Sequence, residues 1–183
     1  MHTSLDPETI MTLEAFADTI VPGNKRFAED RAIAGVSDDG GAVEAGALAL
    51  LQHPAGGLYE WLPALAQGLN AYARAMLGEN VEESVPPFVA LGYDERTALV
   101  QRLTTEDSPE RQGWVNLAVF SNMAFDSAAH LPTTEALASG HPGLRIIGYA
   151  PPDPDGKWRF PQPSYGRRLS ASHPATTPAG NPS

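Results

Sequence analysis

The sequence predicts an all-α fold: a single irregular helical bundle of about five to six helices with an extended, proline-rich C-terminal arm. Three observations predict it. Apolar residues recur at steps of three and four along most of the first 140 positions. A capping residue followed by proline, the signature of a helix start, occurs at Asp6-Pro7 and again at Ser108-Pro109. Finally, 17 glycines and 17 prolines in 183 residues exceed what a plain bundle needs, so part of the chain must be irregular.

The first helix follows Asp6-Pro7 and buries Ile10, Leu13, Phe16, Ala17, Ile20 and Val21. Pro22-Gly23 stops it. Glu14 and Asp18, four apart on another face, are expected to lie in water rather than to work as an acid–base pair. Residues 24–41 lose the period and read as a long surface loop, a feature often functional in a compact domain. A second helix is expected over 41–52, with Val43, Ala47, Leu50 and Leu51 inward. A third spans 58–77 through Trp61, Leu62, Leu65, Leu69, Tyr72, Ala73 and Met76, with Pro63 kinking it or marking its true start. Residues 79–87 form an acidic connector. A short helix over 94–103 buries Leu99, Val100 and Leu103, and the next runs from Ser108-Pro109 to about His130, its inner face Trp114, Leu117, Ala118, Ser121, Phe125 and Ala128. A last helical turn covers 133–139. Gly40-Gly41 and Gly56-Gly57 read as helix punctuation.

Composition divides the chain into a helical accessory domain, 1–150, an extended basic-aromatic arm, 151–168, and a disordered tail, 169–183. Residues 150–183 hold eight prolines and no helical period. Trp158, Phe160 and Tyr165 are costly to leave in water, whereas the tail has nothing to bury. Charge divides the same way, with Lys157, Arg159, Arg167 and Arg168 in the arm of a chain whose net charge is −10.

That acidity argues against an electrostatic grip on nucleic acid or an anionic membrane. No apolar run approaches the about 20 residues a membrane span needs. The start, Met1 to Asp6, lacks a basic stretch leading into an apolar one, so a cytoplasmic location is expected. With no cysteine, thiol catalysis, disulfides and iron–sulfur clusters are excluded.

A carboxylate-bridged di-iron protein needs Glu-x-x-His on two helices. The residues three before His53, His130, His141 and His173 are Leu50, Ser127, Ala138 and Ser170, so the motif is absent. Asp126 and His130 share a helix face and are expected to be a solvated pair or a helix-end contact. Phosphate-cradling glycine loops and a hydrolase elbow around Ser121 are also missing. No catalytic, cofactor-binding or metal residue is therefore assigned, and a folded, acidic body with an aromatic arm points to a binding partner.

Two stretches carry a resemblance. The first is Leu13-Glu14-Ala15-Phe16-Ala17-Asp18-Thr19-Ile20-Val21-Pro22-Gly23 with Ala34-Gly35-Val36; the second is His141-Pro142-Gly143-Leu144-Arg145-Ile146-Ile147-Gly148-Tyr149-Ala150-Pro151. Together they resemble the gluconate 2-dehydrogenase subunit 3 family over roughly residues 7–151. The resemblance implies a non-catalytic small helical subunit that binds and stabilises a large FAD-containing oxidoreductase of the glucose–methanol–choline type, acting on an alcohol or sugar-like carbon. FAD and catalytic residues would belong to the partner. Partner-binding residues are expected in the arm: Trp158, Phe160 and Tyr165 as anchors, with Arg159, Arg167 and Arg168 pairing to acidic groups. The alternative is a stand-alone helical enzyme or ligand-binding protein using Asp126/His130 or the 141–149 segment.

Overall fold

A computed structural model describes residues 4–79, 84–108 and 110–149. The expected arm and tail, with Trp158, Arg159, Phe160, Tyr165, Arg167 and Arg168, lie outside the described residues. Those described form an all-α unit without strands, and none of their helices is long and apolar enough to cross a membrane.

Helix α1 (Pro7–Ile20) starts as expected: Asp6 accepts from the Thr9 amide at 2.9 Å and the Thr9 hydroxyl at 2.6 Å. The Thr9 hydroxyl first, and its amide second, hold the Asp6 carboxyl below its usual range. α1 is the central helix. It packs on α2 (Ala47–Leu51), α3 (Leu62–Leu77), α4 (Pro87–Ala90), α5 (Tyr93–Leu103) and α6 (Arg111–Ser127). With neighbours on so many sides it is buried nearly all round, including Thr12, Ala15, Asp18 and Thr19. Leu13, Phe16, Leu51, Leu62, Leu69, Phe88, Leu99, Trp114 and Leu117 form the main core. A polar tie runs through it: Asn70 donates to the Thr12 hydroxyl at 3.1 Å and accepts from the Phe88 amide at 3.1 Å, joining α3 to α1 and α4.

Several boundaries differ from expectation. The second helix shrinks to Ala47–Leu51 because Gly46 takes φ +89°, which a continuous right-handed helix cannot contain. A one-turn 3-10 helix, Tyr59–Trp61, precedes α3, and Pro63 marks the true start of α3, the second of the two roles expected of it. Trp61 is therefore not an inward residue; it is 65% exposed, and Met76 also faces out. α6 stops at Ser127, short of His130, where Ala128 turns left-handed at φ 50°. The connector after residue 84 hides a short helix, α4, which puts Phe88 and Val89 into the core. Residues 133–146 make a compact corner of α7 (Thr133–Ala138) and α8 (Pro142–Ile146), cemented by Ala128, Ala136 and Leu144.

Candidate functional site

The 24–41 loop is held by a set of charged side chains, not left loose on the surface. Asp18, expected in water, is only 1% exposed and staples the two ends of the first motif. Its carboxylate accepts from the Gly23 amide at 3.0 Å and the Ala34 amide at 2.8 Å. Burial raises this carboxyl above its ordinary value, and the nearby Asp30 pushes the same way, while the two amides and Arg96 pull it down. Glu14 is likewise not a free partner for Asp18. Arg26 grips both its oxygens at 2.7 and 2.8 Å and also bonds Asp30 at 2.6 Å. Burial would raise Asp30, but the Arg26 bonds prevail and hold it low.

Arg96 completes the network from α5. Its guanidinium donates to the carbonyls of Leu91, Ala32, Arg31 and Val89 at 2.7–3.1 Å and lies over the Phe88 ring. A buried cation solvated by backbone carbonyls ties the loop to the end of α4. The loop also enters the core directly, through buried Ala32 and Ile33.

Gly40-Gly41, expected to punctuate a helix, is where the two motifs meet. Gly41 lies so close to Gly23 and the Val21 carbonyl that a Cβ there would sit 2.5 Å from either. Ala42 donates to that carbonyl at 2.9 Å. Gly40 in turn is closed in by the Glu44 carboxylate and by the ring of Pro142, the second residue of the second motif. Next to Pro142, Gly143 lies against the Phe125 carbonyl of α6, leaving no room for a side chain. His141 caps α8: its Nδ1 accepts from the Leu144 amide at 3.3 Å, which leaves Nε2–H to donate to the Ala45 carbonyl at 3.0 Å. A polar cavity of about 520 Å³ beside the junction is lined by Glu14, Asp18, Lys25, Arg26 and Glu44 among others.

The far end of the second motif points outward. Ile146 and Ile147 are 41% and 51% exposed, and Tyr149 beside them is 37% exposed, an apolar strip on the surface of the described body.

Asp126 and His130 are not brought together. Asp126 is exposed and accepts from Asn122 at 2.7 Å. The His130 ring packs on Gly46, 6.1 Å from the His141 ring, with Nδ1 buried and unpaired. Burial, then the charges of His141 and His53, lower its pKa. Among the described residues no three His, Asp or Glu side chains converge as a metal site would require.

The pattern of a family of unknown function, DUF5987, matches residues 7–183. The chain belongs to DUF5987. No curated protein and no solved structure matches it. The match spans both motifs of this DUF5987 protein and also the arm, so the basic-aromatic segment is part of the family pattern. Sequence reasoning missed Asp18 as a staple, Arg96 as a hub and Gly40-Gly41 as a junction. The signal for Arg96 was present: it falls three before Leu99, four before Val100 and seven before Leu103, on the inner face of α5.

Proposed function

We propose that this DUF5987 protein is a non-catalytic accessory subunit that binds and stabilises an FAD-dependent oxidoreductase acting on an alcohol or sugar-like carbon. One observation carries the reading. The two stretches that resemble the gluconate 2-dehydrogenase subunit 3 family converge on a single junction where Asp18 and Arg96 are engaged in holding backbone, while the end of the second stretch exposes Ile146 and Ile147 on the surface of the described body. A junction that fixes an exposed apolar strip on a packed corner suits a docking surface. The flavin and the catalytic groups belong to the partner. In the arm, Trp158, Phe160 and Tyr165 supply further anchors and Arg159, Arg167 and Arg168 pair with acidic groups on that partner.

The test is capture of the tagged full-length chain from its native cell. The expected result is one co-purifying large chain with stoichiometric FAD and alcohol- or sugar-dehydrogenating activity, lost when Ile146, Ile147 and Tyr149 are changed together to serine. Capture without any flavoprotein, or a complex indifferent to the triple change, overturns the reading.

A further inference from the structure

A cleft opens between α3 and α6, on residues other than those of the motif junction. Its volume is about 550 Å³, within the range of small-molecule sites. Buried Trp114 forms the floor, half-buried Leu65 a wall, and exposed Trp61 the rim. The walls are close-packed and not a packing fault ready to collapse. A Cβ on Gly68 of α3 would stand 3.1 Å from the Trp114 ring, and that ring is braced edge-on by Tyr72 at 6.4 Å between centroids. Trp61 is the most exposed large apolar side chain of the described body, and its indole sits within a concave surface. Charge then narrows the choice of occupant. Glu110 is the one ionisable group among the described lining residues, and no base offsets it there. Its carboxylate reaches Tyr72 at 3.5 Å, and Asn116 adds an amide to the same lining.

We propose that this cleft binds a small amphipathic organic cation: an apolar, ring-bearing body against Trp61, Leu65 and Trp114, and a protonated nitrogen beside Glu110. An indole face and a carboxylate both attract a cation, and the apolar walls repel a bare metal ion or a strongly hydrated one. An anion would meet Glu110 with nothing to compensate, in a chain already carrying a net charge of −10.

The inference is independent of the accessory-subunit reading, because its test uses the full-length chain with no oxidoreductase present. Three probes of similar shape are titrated: 2-phenylethylammonium, neutral 2-phenylethanol and anionic 3-phenylpropanoate. Binding is followed by calorimetry and by shifts of the tryptophan indole N–H signals. The cation should bind about tenfold more tightly than the alcohol, and the anion not measurably. Glu110→Gln should remove most of the cation's advantage over the alcohol, leaving the part due to the indole faces, and Trp61→Ala should weaken both, with Trp61→Phe restoring part of the loss. Added salt should weaken the cation and leave the alcohol unchanged, a check on the wild-type chain that does not depend on any variant folding. Equal affinity of wild type for cation and alcohol, absence of binding, or shifts centred away from Trp61 and Trp114 would each overturn the proposal.

Discussion

Arg96 shows what one side chain contributes when its charge is buried. Four backbone carbonyls from two separate segments accept from it, so losing the guanidinium removes four charge-assisted bonds at once. Arg96→Ala should lower the unfolding free energy by about 3 kcal/mol in urea denaturation. Arg96→Lys should recover only part, since one ammonium cannot span the same carbonyls. A loss under about 1 kcal/mol would mean the carbonyls re-pair or reach water. Asp18 makes a prediction of opposite sign to ordinary acid unfolding. Its folded pKa is raised above 3.8, so within that window the folded chain holds a proton the unfolded chain has released. The stability this group contributes therefore falls as pH rises through the window, and the burden of the buried carboxylate is fully present above it. As pH drops from neutral towards 3.8, the urea midpoint of wild type should decline less steeply than that of Asp18→Asn. Parallel profiles would show that Asp18 does not titrate there.

Among the helices, α1 and α5 were legible because they obey simple rules. Both follow an apolar period, and α1 carries a cap and a proline at its start. Of the corner that carries the exposed strip, α7 was legible as the last helical turn over 133–139, whereas α8, at 5 residues, shows too little period to detect. What fixes that corner is close approach, which sequence spacing does not reveal: the junction depends on glycines lying against backbone across long separations. Asp18 was misjudged for a related reason. A four-residue spacing from Glu14 reads as a wet face only if the helix has one, and α1 is enclosed by its neighbours. Gly143→Ala tests the corner directly. The new Cβ would collide with the Phe125 carbonyl, and α8 would have to lift from α6. Hydrogen exchange across 141–149 should accelerate about tenfold or more, while amides of α1 and α5 stay protected. Unchanged exchange in 141–149 would show that the corner is held by other contacts.

For the whole molecule, the core and the proposed docking elements are separable in the chain. The core around Leu13, Phe16, Leu69, Phe88 and Trp114 is assembled by α1 with the helices that surround it, all within residues 7–127. The strip at Ile146, Ile147 and Tyr149 lies beyond that core, and the arm with Trp158, Arg159, Phe160, Tyr165, Arg167 and Arg168 follows in the chain. If strip and arm bind the oxidoreductase together, they form one bipartite anchor, and the prolines of the arm reduce the entropy lost when it orders. Deleting residues 152–183 should then leave the melting temperature of the isolated chain within about 2 °C of the full-length value, since the core keeps every element named above. The same deletion should weaken capture of the flavoprotein by about a hundredfold, the effect of removing two or three aromatic or arginine anchors. Combining it with the serine changes at Ile146, Ile147 and Tyr149 should abolish capture. A truncated chain that melts well below wild type would assign the arm to this chain's own stability. One that keeps both its melting temperature and its partner would leave the exposed strip as the sole anchor.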